Sequence, residues 1–373
     1  MKNMKVAIDA TNLKAGGGLT HLKHISSYVD QVEGVSFDVI GGSWISQLKN
    51  KNKLIFKNEF SSFLKQEKFK LFKLQRMIND YDLVFAPGGS FFSEKIPYVT
   101  MCRNMLVFES KERNRFPKSF TWIRYNLLEK LQVRSFKNAN AIIYISEYAK
   151  NFLEKKYPVL KEKKSTVIYH GISDDFRQIP KTQIEINRYS NSGRFKITYV
   201  SIINFYKHQW NVIDAIKKIR KDGYNVELEL IGPMYDPARP IFEKSMIGTE
   251  DFVHYRGKVD YMEISKSYKK SDLFIFASTC ENMPNILVEA MSAGLPILCS
   301  NFGPMPEILK DAGVYMDPTN VDSIYENLKQ VLNNVTLRSS MAEKAHKYSQ
   351  DFSWEKTSQE TFNFIKEVGK EIK

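Results

Sequence analysis

Short apolar runs alternate along the chain with longer segments in which apolar residues recur at helical spacing. A first set of runs occupies residues 6–8, 37–40, 83–86, 98–101, 141–145 and 166–169. A second set occupies residues 195–200, 226–231, 252–255, 273–277, 297–299 and 314–316. Apolar runs of this length predict buried strands, and strands separated by helix-length segments predict parallel sheets. We therefore expect an α/β protein.

The length of the chain and the spacing of these runs predict two domains. A chain of 373 residues is longer than one ordinary hydrophobic core requires. The polar residues 180–193 separate the two sets of predicted strands. We expect a first domain at residues 1–185, a second at residues 186–353 and a final helix at residues 354–373.

The stretch at residues 278–296 carries the most informative chemistry. Glu281 and Glu289 stand eight positions apart, with a predicted strand before them and another after them. Pro284 suits the first position of a helix, because its missing N–H is not needed there, and Gly294 suits the end of that helix. The first carboxylate then lies in the strand–helix loop, and the second lies about one turn into the helix.

This arrangement predicts a ligand that carries a diphosphate between two pairs of hydroxyl groups. The free N–H groups of a helix start bind phosphate, whereas carboxylates repel phosphate and accept hydrogen bonds from hydroxyl groups. A carboxylate on either side of the helix start therefore indicates a nucleotide sugar.

The same stretch resembles the Glu-x7-Glu signature of the retaining family 4 glycosyltransferases, of the bacterial surface-polysaccharide type. The resemblance implies the GT-B fold, in which two Rossmann-like domains face a central cleft and a C-terminal helix crosses back to the first domain. It also implies that Glu281 contacts the donor sugar near its reacting face and that Glu289 holds the ribose hydroxyl groups. The donor is then a UDP- or GDP-sugar, and the sequence does not choose between the two bases.

Further segments resemble the donor-side segments of that family. Lys207 stands where the family has a lysine that neutralises the donor phosphates, and with Glu281 it forms the expected catalytic pair. Ile202 replaces the family's arginine, so either another basic residue or the helix start compensates for that charge. A surface lysine is the alternative interpretation of Lys207. The glycine-rich loop after the first predicted strand, at residues 16–18, resembles a family loop that faces the donor diphosphate and the acceptor, and a plain turn is its alternative interpretation. The remaining expected donor-binding residues are Gly17, Gly18, Asn282, Met283, Pro284, Asn285, Ile286, Leu287, Lys258 and Val259.

Arg103 and Asn104 are expected on the acceptor side, because they follow the predicted strand at residues 98–101. Many members of the family have a histidine at about Arg103, so no imidazole base is assumed there. Arg103 would instead bind an acceptor phosphate, an anionic sugar or the donor diphosphate, and Asn104 would bind a sugar hydroxyl group. His170 replaces an asparagine in a family turn, and we expect it to be structural.

The charge of the chain is unevenly divided. Residues 1–190 hold 32 Lys and Arg against 18 Asp and Glu, and the remaining residues hold 23 against 24. A basic first half predicts an anionic partner. Because no nucleic-acid recognition motif is present, we expect an anionic membrane surface with a lipid-linked glycan acceptor, and no nucleic acid. A merely soluble basic surface is the alternative.

Two basic segments are candidates for that membrane surface. Residues 60–78 and 113–136 interleave apolar with basic residues, a pattern typical of a helix on an anionic bilayer or of a core-packed helix with a solvated basic face. In the first segment we expect one apolar face made of Phe60, Phe63, Leu64, Leu71, Met77 and Ile78. Its expected basic border is Lys65, Lys68, Lys70, Lys73 and Arg76.

Apolar runs, the N-terminus and the cysteines of the sequence predict the compartment and the cofactors of the protein. No run approaches the roughly 20 apolar residues of a membrane span, and the N-terminus lacks the apolar core of a signal peptide. Cys102, Cys280 and Cys299 are odd in number and not at metal-ligand spacing. We expect a cytoplasmic protein, peripheral on the inner face of the cytoplasmic membrane, with no metal and no cofactor besides the nucleotide-sugar co-substrate.

The sequence thus predicts a retaining, metal-independent glycosyltransferase of surface-polysaccharide, lipopolysaccharide or O-antigen biosynthesis, which moves a hexosyl or related group to a hydroxyl of a lipid-linked glycan. A GT-B nucleotide-sugar epimerase is the first alternative, since it would share fold and donor. A dehydrogenase is disfavoured by the missing dinucleotide fingerprint. A non-catalytic membrane- or glycan-binding module would explain the basic half but not the pair Glu281 and Glu289.

Overall fold

The computed structural model describes residues 3–14, 16–48, 53–55, 63–118, 120–190 and 193–372. These residues form two compact units. The first unit lies within Met1–Arg113, Pro117–Gly171 and Ser353–Lys373, and the second within Asn114–Phe116 and Ile172–Phe352.

The first unit is built on a parallel sheet of seven strands in the order β3-β2-β1-β4-β5-β6-β7. The strands are β1 Met4–Asp9, β2 Val35–Gly41, β3 Lys53–Ile55, β4 Leu83–Ala86, β5 Tyr98–Cys102, β6 Ala141–Tyr144 and β7 Lys164–Val167. The central strands β4, β5 and β6 are buried at every position, which explains their continuous apolar sequences.

The helices of the first unit are α1 Gly16–Ile25, α2 Phe63–Phe69, α3 Gln75–Met77, α4 Ser110–Arg113, α5 Phe120–Asn138, α6 Glu147–Lys156 and, from the end of the chain, α14 Trp354–Ile372. A π-helical segment, Lys70–Leu74, joins α2 to α3. The final helix packs on this unit as the sequence predicts: the rings of Phe362 and Phe37 lie 4.7 Å apart, and Lys164 pairs with Glu367 at 2.6 Å.

The second unit is built on a parallel sheet of six strands in the order β10-β9-β8-β11-β12-β13. The strands are β8 Phe195–Val200, β9 Val226–Ile231, β10 Val253–Tyr255, β11 Leu273–Phe276, β12 Ile297–Ser300 and β13 Val314–Met316. The helices are α7 Gln209–Lys221, α8 Arg239–Met246, α9 Tyr261–Lys270, α10 Asn285–Ser292, α11 Met305–Leu309, α12 Val321–Leu332 and α13 Val335–Ser349. Two Rossmann-like units are therefore present, as predicted.

The chain passes from the first unit to the second between Gly171 and Ile172, whereas the sequence places the change of domain between residues 185 and 186. The intervening residues pack on the second unit. The ring of Phe176 lies 4.9 Å from that of Tyr261, and the N–H of Gln178 donates to the carbonyl of Ser292 at 3.0 Å. Of the predicted linker at residues 180–193, residues 191 and 192 lie outside the described residues.

The predicted single apolar face at residues 60–78 is wrong over the part that the structure describes. Leu71 is 54% exposed and Ile78 is 1% exposed, so the two side chains face opposite environments. The i to i+5 hydrogen bonds of the π-helical segment rotate the residues that follow it. Lys70, expected on a solvated border, is buried. Phe60 lies outside the described residues.

Candidate active site

The site of the second unit forms where the neighbouring strands β8 and β11 end. The two strands pair in parallel, so the loops that follow them leave the sheet at the same edge. The loop after β8 carries Lys207 and the loop after β11 carries Glu281, and the Lys207 ammonium forms an ion pair with Oε1 of the Glu281 carboxylate. The two expected catalytic residues, 74 positions apart, are therefore brought together.

Lys207 is held in an almost closed environment. Its side chain is 5% exposed, and its Nζ lies 5.1 Å from the centre of each of the rings of Tyr206 and Phe276. The hydroxyl of Tyr199 donates to the Lys207 carbonyl at 2.7 Å. A buried ammonium requires a partner, and the Glu281 side chain supplies it while remaining 17% exposed. The interpretation of Lys207 as a surface lysine is excluded.

Hydrogen bonds join the two loops to each other. The N–H of Thr279 donates to the carbonyl of Tyr206 at 2.8 Å, and the ring Nε2 of His208 lies 3.3 Å from the hydroxyl oxygen of Thr279. His208 has φ of 50° and ψ of 32°, the left-handed region that favours glycine.

Helix α10 begins one residue later than predicted. It starts at Asn285, with Pro284 in the preceding position at φ −82° and ψ 77°, and it ends at Ser292 ahead of Gly294, whose φ is 65°. The N–H of Asn285 donates to the Met283 carbonyl at 3.0 Å, and that of Leu287 to the Pro284 carbonyl at 2.9 Å. Both of these amides, expected to meet a phosphate, already have acceptors in the chain itself.

Glu289 lies inside the unit at 6% exposure, one turn into α10. The hydroxyl groups of Tyr268 and Tyr261 donate to its two carboxylate oxygens at 3.3 and 3.5 Å. Burial raises the pKa of the Glu289 carboxyl to about 8, and the two tyrosine hydrogen bonds oppose part of that shift. Glu289 is thus an acid whose proton is held near neutral pH.

The remaining donor-side residues divide by position. Asn282, Met283 and Pro284 are buried in the loop before α10, Ile286 is half-buried, and Leu287 is fully buried, so its side chain serves the core. Ile202 is half-buried and its carbonyl accepts a hydrogen bond from the Gln209 side chain at 2.9 Å.

Lys258 and Val259 lie apart from Glu281 in the sheet. They follow β10, and β9 and β8 stand between that strand and β11. Three strand spacings amount to about 14 Å. Gly257, at φ 67°, makes the turn that precedes them, and its carbonyl accepts from the Gly232 N–H at 2.8 Å. The structure does not place these two residues beside the ion pair of Lys207 and Glu281.

In the first unit, the loop after β5 and the start of α1 come together. The Arg103 guanidinium donates to the Gly17 carbonyl at 2.7 Å and to Nδ1 of His21 at 3.2 Å. A Cβ on Gly18 would lie 4.0 Å from the Arg103 side chain and 3.0 Å from Leu13. Gly18 therefore packs closely on Leu13 beside Arg103, whereas a Cβ on Gly17 would meet nothing within 4 Å. Burial lowers the pKa of the Arg103 guanidinium to about 10.

His21 is not among the residues predicted from the sequence. Burial and the Arg103 charge hold the pKa of His21 well below its ordinary value, so the ring is neutral, and since arginine only donates, Nδ1 is the acceptor. The ring stacks on His170 at 4.8 Å, which agrees with a structural role for His170. An imidazole thus lies beside Arg103 after all, supplied by α1. Its position four residues after Gly17 on a helix is the only trace in the sequence.

Asn104 has a different environment from the one expected for a sugar contact. Its side-chain oxygen accepts from the N–H of Leu106 at 3.1 Å and caps the short turn Met105–Val107. A sugar hydroxyl group would meet its amide nitrogen or the second lone pair of that oxygen.

The first unit also contains a buried ion pair that the sequence does not predict. Nζ of Lys70, in the π-helical segment, lies 3.7 Å from Oδ2 of Asp9 at the end of β1 and donates to the Ser90 carbonyl at 2.7 Å. Oδ1 of the same carboxylate accepts from the N–H and the hydroxyl of Thr11 at 3.0 and 2.6 Å. Lys70 thereby ties the loop after β1 to the loop after β4.

Two family models match successive parts of the chain. Residues 15–176 match the model described as Glycosyltransferase Family 4, and residues 181–348 match the model described as Glycosyl transferases group 1. Together they leave only residues 177–180 between them. The chain belongs to these glycosyltransferases.

Relatives and solved structures span almost the whole length of the glycosyltransferase. It is 23% identical to the O-antigen chain mannosyltransferase B of Escherichia coli over 98% of this chain and 93% of that one. Sucrose-phosphate synthase from Thermosynechococcus elongatus superposes with a TM-score of 0.74 at 14% identity, over 98% and 99% of the two chains. Anabaena HepE in complex with UDP and glucose superposes with a TM-score of 0.73 at 19% identity, over 98% and 100%. The fold is GT-B, as the sequence predicts.

The glycosyltransferase contains an Asp-x-Asp triplet, Asp80-Tyr81-Asp82, a spacing found in metal-dependent sugar transfer. It precedes β4, at the sheet edge opposite the loops that follow β1 and β5. Asp82 accepts from the Lys5 N–H at 2.8 Å, and the Tyr81 hydroxyl donates to Asp38 at 2.5 Å. In the described part of the chain, no three His, Cys, Asp or Glu residues are grouped to hold a metal ion.

No helix among the described residues of the glycosyltransferase combines the length and the apolar character of a membrane-crossing segment.

Proposed function

We propose that the glycosyltransferase moves a sugar, with retention of configuration, from a UDP- or GDP-sugar to a hydroxyl group of a lipid-linked glycan. The observation that carries this proposal is the placement of Glu281 and Glu289 on either side of the start of α10, with Lys207 paired to Glu281. The pathway we propose is bacterial surface-polysaccharide synthesis, which the relation to an O-antigen mannosyltransferase supports.

The donor site is proposed to divide the nucleotide sugar among three groups. Glu289 accepts hydrogen bonds from the ribose hydroxyls, Lys207 neutralises the diphosphate, and Glu281 contacts the transferred sugar. Gly17 and Gly18 are proposed to approach the donor and the acceptor through their backbone. The loop and helix start at residues 282–287 are proposed to contact the phosphate, and the turn at Lys258 and Val259 to contact the base. The UDP found in a solved structure of the same fold supports a uridine donor but leaves guanosine open.

Lys207 is proposed to change partner when the donor binds. The diphosphate competes with the Glu281 carboxylate for the ammonium, and the low exposure of Lys207 makes that charge effective. Because Asn285 and Leu287 donate within the chain, Lys207 takes a larger share of the leaving-group charge than the helix start. Because Ile202 replaces the arginine of the resembling family, Lys207 takes a still larger share of the leaving-group charge.

The proposed transfer step uses no nucleophile from the protein. The bond from the anomeric carbon to the diphosphate oxygen breaks, the acceptor oxygen bonds to the same face of that carbon, and the acceptor proton passes to the departing phosphate oxygen. Lys207 stabilises the charge that develops on that oxygen. We propose that no metal takes part. Arg103 and His21 are proposed to bind an anionic group of the acceptor.

The test is calorimetric binding of UDP, GDP and NAD to the wild type, Glu289→Ala and the control Glu326→Ala, an exposed glutamate on α12. We expect UDP or GDP to bind the wild type and the control, and to lose at least tenfold in affinity for Glu289→Ala. Binding of NAD alone, or equal binding to all three proteins, would refute the donor site.

Turnover separates transfer from epimerisation. With donor and acceptor glycan, we expect the wild type to form a product that keeps the donor's anomeric configuration by NMR, without added metal and in the presence of a chelator. Glu281→Ala is expected to reduce the rate at least a hundredfold while leaving nucleotide binding near that of the wild type. Conversion of the donor sugar in the absence of any acceptor would favour the epimerase.

A further inference from the structure

The outward face of α5 changes from apolar to cationic along its length. Six exposed residues follow one another at spacings of three and four, which places them on a single face of the helix. We call them the α5 strip: Phe120, Ile123, Leu127, Lys130, Arg134 and Lys137. Phe120 is 76% exposed and Ile123 is 60% exposed, values unusual for such side chains.

The opposite face of α5 packs on the sheet, so the apolar half of the strip is not part of the core. The Ser135 hydroxyl accepts from the Phe91 N–H at 3.1 Å, the Ser135 carbonyl accepts from the Tyr98 hydroxyl at 2.7 Å, and Phe136 is fully buried. The helix is already anchored without Phe120 and Ile123. A contiguous exposed apolar group on an anchored helix indicates a docking surface.

The cationic half of the strip lines one cavity and contacts a residue of a second. One, of about 490 Å³, is lined by Lys130, Arg134 and Lys137 among others. The Arg134 guanidinium also lies 4.1 Å from the centre of the Phe92 ring. Phe92 and the exposed Leu71 line a second cavity of about 530 Å³. The three cations therefore lie along a concave surface with room for a phosphate headgroup.

The strip carries one sign of charge. None of its six residues is acidic, and the neighbouring Glu129 is engaged by Arg113 and Lys156, each at 2.6 Å, and by the Tyr157 hydroxyl. An apolar end with a cationic end complements a bilayer, in which acyl chains lie beneath anionic phosphates. A protein partner would need an acidic and an apolar patch in the same order.

We propose that the α5 strip docks the glycosyltransferase on an anionic lipid bilayer. Phe120, Ile123 and Leu127 enter the headgroup–acyl boundary, and Lys130, Arg134 and Lys137 contact lipid phosphates. The proposal deepens the proposed function, since a lipid-linked acceptor lies at such a surface, but it rests on the strip alone and is tested without acceptor.

The test is co-sedimentation of the full chain with two kinds of vesicle. One is made of phosphatidylcholine alone, and the other contains about 30% phosphatidylglycerol, which gives it the negative charge of an anionic leaflet. We expect binding to the anionic vesicles only, and its loss in 0.5 M salt, where charges are screened within about 4 Å. Phe120→Ser with Ile123→Ser, and separately Lys130→Ala with Lys137→Ala, should each lower the partition coefficient roughly tenfold or more.

The matched controls lie on the second unit. Ile247→Ser removes a side chain that is 71% exposed, and Lys269→Ala with Lys270→Ala removes two exposed charges. Both should bind vesicles like the wild type, and all variants should bind UDP or GDP like the wild type. The docking proposal would be overturned if the wild type did not bind vesicles, if the controls lost binding equally, or if the substitutions changed the oligomeric state instead of vesicle binding. Failure of the wild type to bind UDP or GDP would instead count against the proposed function.

Discussion

At the scale of single residues, two glutamates with one chemistry occupy two different environments. Glu281 faces a cation, Lys207, and stays partly exposed, whereas Glu289 is buried and faces two neutral tyrosine hydroxyl groups. The contrast supports the role proposed for each: Glu281 responds to charge on the ligand, and Glu289 responds to hydroxyl groups and to pH.

The affinity for the nucleotide should therefore depend on pH through Glu289. Its pKa of about 8 in the free protein means that the carboxyl is largely protonated at pH 7. Hydroxyl groups of a ribose donate to the ionised form, so binding at lower pH must release a proton. We expect affinity to fall as pH decreases below about 8, approaching tenfold per pH unit, and to level off above it.

Calorimetry between pH 7 and 9.5 measures this dependence, a range in which the phosphate groups of a nucleotide, with a last pKa of about 6, stay ionised. Repeating it in two buffers of different ionisation enthalpy counts the protons released. Glu289→Gln is the control, since it cannot titrate, and its affinity should be flat across the range. An equally flat profile for the wild type would show that Glu289 is ionised before the ligand arrives.

The residues that could be predicted are those whose signal is local. Glu281 and Glu289 stand in one short stretch whose spacing indicates a loop and a helix start, and Lys207 stands in a short segment that resembles one of the family's. His21 could not be assigned to Arg103 in this way, because 82 positions separate the two and only the folded sheet brings them together. Asp9 and Lys70 escaped for the same reason.

At the scale of elements, the strands were predictable where burial is complete. Every predicted run lies in or overlaps a strand of the structure. The missed strand, β3 at Lys53–Ile55, is three residues long with two of them exposed, so it has no continuous apolar run. The π-helical segment had no signal either, because the period of the pattern changes within a single turn.

The ion pair that Lys70 of the π-helical segment forms with Asp9 should contribute to stability. Lys70→Met keeps the length of the side chain but leaves the Asp9 carboxylate, 2% exposed, without its cation. Removing one partner of a buried pair typically costs about 3–5 kcal/mol, so we expect the free energy of unfolding of the first unit to fall by about 3 kcal/mol in urea denaturation.

Lys73→Met is the matched control, since Lys73 is exposed in the same segment, and its effect should stay within about 0.5 kcal/mol. Adding Asp9→Asn to Lys70→Met should restore part of the loss, because the unpaired charge is then gone. If Lys70→Met and Lys73→Met behave alike, the pair contributes nothing to stability.

At the scale of the whole molecule, the chain leaves the first unit and returns to it at adjoining points. Gly171 is the last residue before the long segment of the second unit, and Ser353 is the first residue after that segment. A Cβ on Gly171 would lie 2.1 Å from the backbone nitrogen of Trp354 and 2.3 Å from the carbonyl carbon of Ser353. Only glycine allows this approach, since the neighbouring atoms belong to the backbone.

Gly171→Ala should accordingly weaken the attachment of α14. We expect a loss of about 1–3 kcal/mol, the range for forcing one extra carbon into a packed site, measured as a lower melting temperature. Gly193→Ala serves as the control, because a Cβ there meets nothing within 4 Å. Equal melting temperatures of the two variants would show that the backbone at residues 353–354 yields without cost.

The return of α14 to the first unit also bears on the order in which the molecule is completed during translation. A ribosome has delivered all of the second unit once residue 352 has emerged, yet the first unit still lacks the helix that ends at Ile372. Domains generally fold as units during synthesis. In this chain the unit that begins first is finished last, and Phe37, which the ring of Phe362 contacts, waits for more than three hundred residues to be made.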